Sequence, residues 1–207
     1  METLPTGISV LDREFGGGLP SGSVVALTAS PASQSELIID RLARVRACRY
    51  LTTVRSPAAV EDGLKRDSGH TDGVVVSAVD RTDPIDDALS VADDLPDRGT
   101  LVVDSVGPFE ADDRDGYRAF LNAVRQRVVD ADGIAVLHAL KGETDGPNRA
   151  VTEQVADVVF DLRTTVTGTE IANRLVVPKF RGGAALEEPL KLKLTDTVTV
   201  DTSRDIA

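Results

Sequence analysis

The sequence predicts an α/β protein built on a mostly parallel sheet with helices on both faces. Three observations carry this. Short apolar runs alternate with amphipathic stretches across residues 23–140. The chain has 207 residues, 41% of them hydrophobic, which fits one domain with a sizeable core. After residue 150 the rhythm changes to long runs broken by a turn, which adds an antiparallel, β-rich part over residues 150–207.

Taken in order, Ser23-Val-Val-Ala-Leu-Thr28 is an apolar run of strand length. Glu36 to Val45 places its apolar residues at helical spacing. Arg49–Val54 reads as a second strand, Ala58–Arg66 as a short helix and Gly73–Ser77 as a third strand. Ile85, Ala88, Leu89, Ala92 and Leu95 share a helix face, opened by Asp83-Pro84. Thr100–Asp104 is the fourth strand. Tyr117, Phe120, Leu121, Val124 and Val128 line a longer helix that starts at Asp112 or Asp113. Gly133–His138 is the fifth strand. Val158–Val166, the Thr167-Gly168 turn and Glu170–Pro178 form a hairpin, with Pro189–Leu194 and Val198–Val200 as further strands. No linker or repeat interrupts the chain, so residues 1–207 read as one domain.

Composition excludes several classes. One cysteine, Cys48, permits no internal disulfide and no cysteine metal site; it reads as a small apolar residue. Two histidines do not make a histidine-rich metal site. No apolar run approaches the ~20 residues that cross a bilayer, and the first residues lack a signal-peptide pattern, so the expectation is a cytoplasmic protein with no membrane partner. The net charge is −11, carried by 24 Asp and 10 Glu against 18 Arg and only 5 Lys. Such a surface repels nucleic-acid phosphates, and nucleic acid is not expected as a partner.

In open parallel sheets, ligands sit beyond the carboxyl ends of the strands. The first strand-to-helix loop is Ala29, Ser30, Pro31, Ala32, Ser33, Gln34, Ser35 and Glu36. A phosphate loop would read G-x-x-x-x-G-K-[ST] there. Laid on that pattern without gaps, Ala29 and Gln34 replace the glycines, Ser35 the lysine and Glu36 the hydroxyl. The lysine charge is gone and a carboxylate is added. Two like charges about 4 Å apart cost about 4 kcal/mol at an effective dielectric of about 20. An ordinary polar turn explains the same eight residues.

Thr6-Gly-Ile-Ser-Val-Leu-Asp12 and Phe15-Gly-Gly-Gly-Leu-Pro-Ser-Gly22 resemble the opening segment, here residues 1–22, of KaiC- and RadA-like members of the RecA superfamily. Leu101-Val-Val-Asp-Ser-Val106 is similar to a Walker B strand, with Asp104 at the metal-facing position. Ala156–Leu162 and Arg174–Gly182 resemble the family's A-D-x-x-I-x-L and R-x-x-x-x-K-x-R-G signatures. The segments run in family order over roughly residues 6–183. The Asp-rich, Lys-poor surface resembles haloarchaeal proteins. The resemblance implies a RecA-like fold that binds ATP and Mg between subunits, with catalytic acids just after the second strand. Val54 and Arg55 stand there instead, and neither polarises a water.

The resemblance and its departures together imply a pseudo-ATPase: a regulatory or interaction subunit with no catalytic residues and no cofactor. Its partner would be a protein, an active KaiC/RadA-like paralogue or a second copy. A divergent ATPase using ATP and Mg in signalling or recombination is the second reading. A transcriptional regulator is a third, without a helix-turn-helix signature or basic stripe to carry it. Asp104 is either a cap for the segment after its strand or, paired with Glu36, a Mg²⁺ or Ca²⁺ ligand. Lys179 and Arg181 match family cations that reach a neighbour's phosphates in trans; a solvated strand end paired with acids explains them equally. His138 ends the fifth strand beside Asp104. With no Ser-His-Asp spacing in the sequence, it reads as a hydrogen-bonded structural histidine, and His70 as an exposed loop residue.

Overall fold

The computed structural model describes residues 2–66, 71–80, 82–142, 146–168, 170–183 and 185–201; His70 lies outside them. The chain opens with β1 (Thr3–Leu4), α1 (Ser9–Glu14) and β2 (Leu19–Pro20). Thr6 explains this opening. Its amide and hydroxyl both donate to Asp12 Oδ1, at 2.6 and 2.7 Å, while its Oγ1 accepts from Ile8 N at 3.0 Å. Gly18 then turns the chain at φ +127, where a Cβ would lie 2.1 Å from the Leu4 carbonyl oxygen. Only glycine fits there.

The core elements follow as β3 (Ser23–Ala29), α2 (Glu36–Arg44), β4 (Cys48–Thr52), α3 (Pro57–Arg66), β5 (Val74–Ala78), α4 (Pro84–Asp93) and β6 (Thr100–Asp104). Next come α5 (Gly107–Glu110), α6 (Arg114–Asp130), β7 (Ile134–Leu140) and α7 (Arg149–Val155). The chain ends with β8 (Val158–Thr167), β9 (Glu170–Phe180), β10 (Leu190–Leu194) and β11 (Val198–Val200). Asp113 caps α6, its side chain accepting from the amides of Asp115 and Gly116.

The sheet order is β11-β10-β9-β8-β3-β7-β6-β4-β5. From β8 to β5 every neighbouring pair is parallel; β8 to β11 pair antiparallel. This is the α/β architecture expected, with the antiparallel part where the rhythm changed. Alternate strand residues face opposite sides. Val25, Leu27, Tyr50, Val102 and Val136 pack with α1 and α2, whereas Val24, Leu51, Val103 and Leu137 pack with α4 and α6. Among the described residues, no helix is long and apolar enough to cross a membrane.

One polar cluster sits inside the α4–α6 face. Glu110 is fully buried, and Arg149 donates to both its oxygens, Nε at 2.8 Å and Nη2 at 2.9 Å. Thr152 Oγ1 donates to Glu110 Oε1 at 2.5 Å and lies 2.8 Å from Tyr117 Oη. Arg149 also reaches the Leu140 carbonyl at 2.8 Å. This cluster ties α5, α6 and α7 to the end of β7.

Candidate functional site

The carboxyl ends of β3, β7, β6 and β4 lie side by side, and the topology gathers their last residues. Asp104 and His138 are register partners on β6 and β7. The loop 29–36 leaves β3 next to them. Ser33 closes that loop on itself: its amide and hydroxyl both donate to the Ser30 carbonyl, at 2.9 and 2.6 Å. Ser30 Oγ accepts from Ala32 N at 3.3 Å. Pro31, Ala32 and Gln34 are exposed, Ser33 and Ser35 buried, and Glu36 opens α2.

Ser35 joins the loop to the sheet. Its Oγ lies 3.0 Å from His138 Nε2 and 3.2 Å from Ser33 Oγ. His138 Nδ1 is 2.6 Å from Asp104 Oδ1. An ionised carboxylate only accepts, so Nδ1 carries a proton and donates it to Asp104, which turns Nε2 toward the Ser35 hydroxyl. The other Asp104 oxygen accepts from Tyr50 Oη at 2.7 Å and from Arg55 Nη2 at 2.7 Å. Arg55 also donates to Tyr50 Oη at 2.9 Å. Burial alone would raise the Asp104 carboxyl, but His138, Tyr50 and Arg55 outweigh it and hold the group well below the usual carboxylate range. Burial, with the Asp104 charge, pushes the Tyr50 phenol far above its ordinary value, so it stays protonated.

The order Ser35–His138–Asp104 is that of a nucleophilic triad. The sequence hid it because Ser35 and His138 are 103 positions apart. Ser35 is only 1% exposed, so no substrate reaches its hydroxyl in this conformation. The chain of bonds pins the loop onto the sheet. Ser35→Ala is therefore expected to cost about 1–2 kcal/mol of stability, the cost of leaving His138 Nε2 without a partner; urea unfolding measures it.

Two carboxylates of α2 complete the surroundings. Glu36 begins the helix, and Asp40 follows one turn later. Asp40 is 8% exposed. Burial pushes its carboxyl up to about 6, against the opposing pull of Arg44 and Arg55. Among the described residues, no group of three or more His, Cys, Asp or Glu side chains is placed to hold a metal ion.

Comparison with known proteins decides the family. Residues 3–207 match the family described as "Family of unknown function (DUF7125)". The chain belongs to this family. No curated protein matches it. Among solved structures it is similar to the KaiC-like protein PH0186 from the hyperthermophilic archaeon Pyrococcus horikoshii OT3. The TM-score is 0.78 at 12% identity, over 96% of this chain and 99% of that one. At that identity the likeness concerns the fold, which is the KaiC-like RecA fold.

In this DUF7125 chain the two C-terminal signature segments meet each other at the opposite end of the strands from the loop, where β3 and β8 begin. Asp157, just before β8, accepts from Val24 N at 3.1 Å and takes both its oxygens to Arg125 Nη1 at 2.7 Å. Arg181 approaches the same carboxylate at 3.4 Å and donates to the Gln154 carbonyl at 3.1 Å. Lys179 Nζ donates to the carbonyls of Glu153 and Gln154, at 2.7 and 3.0 Å. Both cations thus cap the C-terminal turn of α7, where carbonyls lack helical partners. Burial, with the Arg181 charge, lowers the Lys179 ammonium below its ordinary value.

Proposed function

We propose that this chain is a pseudo-ATPase, a KaiC-like fold serving as a regulatory or interaction subunit. The observation that carries this is the Arg55–Asp104 pair. Asp104 stands where the fold family holds Mg²⁺, yet both its oxygens already accept protein donors, one of them a guanidinium. A fixed cation there repels a second one. The donor set therefore does not fit nucleotide-bound Mg²⁺. The loop supports the same reading as a degenerate Walker A. It carries Ser35 and Glu36 where a lysine and a hydroxyl are needed, and none of residues 29–36 has the positive φ open to glycine.

The partner we propose is another protein, an active KaiC-like paralogue or a second copy. Val166 and Ile171, cross-strand partners near the tip of the β8–β9 hairpin, are both exposed and offer an apolar contact. Lys179 and Arg181 would serve in trans only by leaving the α7 carbonyls. The Asp-rich surface supports a haloarchaeal cytoplasm as the setting.

Equilibrium binding of ATP and ADP, with and without Mg²⁺, tests the reading. No binding at concentrations on the order of 1 mM is expected, leaving less than about 4 kcal/mol of affinity. Binding near 1 µM, about 8 kcal/mol, would overturn it in favour of an active ATPase.

A further inference from the structure

A cavity of about 420 Å³ opens between α2, the loop after β4 and the β10–β11 turn. Glu36, Leu37, Asp40, Arg44, Arg55 and Asp196 line it. Asp40 is the anomaly. Every other buried carboxylate described above is multiply engaged. Asp104 has His138, Tyr50 and Arg55; Glu110 has Arg149 and Thr152; Asp157 has Arg125 and the Val24 amide. Asp40 is 8% exposed as a residue; its carboxylate opens on the cavity and makes no hydrogen bond or ion pair among the described residues, with Arg44 and Arg55 acting on it only through their charge. Arg44, one turn on, directs Nε to the Asp40 carbonyl at 3.0 Å and Nη1 to the Leu64 carbonyl at 3.2 Å. Arg55 is committed to Asp104.

A buried charge without a partner is costly, and the cost is removed when a cation is supplied. Three carboxylates line this cavity against two guanidiniums; Arg55 is already paired with Asp104, and Arg44 is engaged with the Asp40 and Leu64 carbonyls. The absence of a three-ligand cluster among the described residues argues against a compact metal ion. Leu37 adds an apolar wall, which suits a cation on a hydrocarbon stem. We propose that this cavity binds an aliphatic ammonium group, with Asp40 as its counter-ion and Glu36 and Asp196 at its rim. Such a group belongs to a lysine side chain of a partner protein or to a free small amine.

The test is titration of the whole protein with n-butylammonium, followed by amide NMR in the lowest salt that keeps it folded, since screening weakens such a contact. The expected result is saturable shifts at residues 34–40, 55 and 195–196, with a Kd on the order of 1 mM. Asp40→Asn, which removes a buried charge and leaves the fold intact, is expected to weaken binding about tenfold or more. Asp62→Asn, on the exposed face of α3, is expected to leave it unchanged. Tighter binding of Nα-acetyl-lysine amide than of butane-1,4-diamine identifies a partner's lysine as the ligand, and the reverse order a free amine. Either order upholds the proposal. No saturable shift, equal binding by Asp40→Asn, or the same shifts produced by Mg²⁺ alone would overturn it.

Discussion

Replacing Glu110 with alanine is expected to lower the stability of the protein by about 3–5 kcal/mol, the usual cost of breaking a buried ion pair by removing one partner. The cause is the position of the pair. Glu110 is fully buried and Arg149 nearly so, with two bonds between them at 2.8 and 2.9 Å. Truncation leaves the guanidinium in the interior without its carboxylate and takes the acceptor from Thr152 as well. The double variant Glu110→Leu with Arg149→Met is expected to recover most of the loss, because no charge then remains to be solvated. Urea unfolding of the two single variants and the double variant measures the coupling. A loss below about 1 kcal/mol in Glu110→Ala would mean that water reaches this corner.

The same corner shows what the sequence could not reveal. The strands of the nine-stranded sheet and the helices α2, α3, α4 and α6 are legible in the sequence, whereas the two-residue strands β1 and β2 are too short to show a pattern. Helices α1, α5 and α7 have 6, 4 and 7 residues, too few for one. Glu110 therefore falls outside every element read from the sequence, and its partner 39 positions away carries no local signal. At the candidate site, Asp104 was legible as the end of a buried strand, and Arg55 as a cation in place of a carboxylate. That the second turns onto the first follows only from the pairing of β4 with β6, which sets Thr52 against Asp104. His138 was expected to be a hydrogen-bonded structural residue, and it is bonded on both ring nitrogens. Its link to Ser35 needs the adjacency of β3 and β7. Asp40 lies within the Glu36–Val45 stretch read as a helix, and nothing in its neighbours marks it as buried. Its surroundings come from distant parts of the chain, the loop after β4 and the β10–β11 turn.

Asp40→Asn is expected to do the opposite of most substitutions and stabilise the protein, by about 2–3 kcal/mol at pH 7. The carboxyl titrates near 3.8 when unfolded and at about 6 when folded. The folded state thus holds its proton more tightly. Between those values the unfolded chain releases the proton while the native one keeps it, so stability falls as pH rises through this window. Above about 6 the penalty is complete, and below about 3.8 it vanishes. Glu36 on the same helix and Asp104 on β6 deepen it, and Arg44 and Arg55 lessen it; Asp196 faces the same cavity from the β10–β11 turn. Asp104 slopes the other way. Its depressed carboxyl gives stability above the unfolded value that is lost in acid. Subtracting the two unfolding curves cancels Asp104 and isolates Asp40. The difference between Asp40→Asn and the unaltered protein should be near zero at pH 3.5 and grow through pH 6 to a plateau. Added butylammonium should then narrow the plateau by stabilising the chain that keeps Asp40 more than the variant. A difference that stays flat with pH would mean that the carboxylate is solvated in the folded state. The excess of charge that argues for a cationic ligand would then be gone.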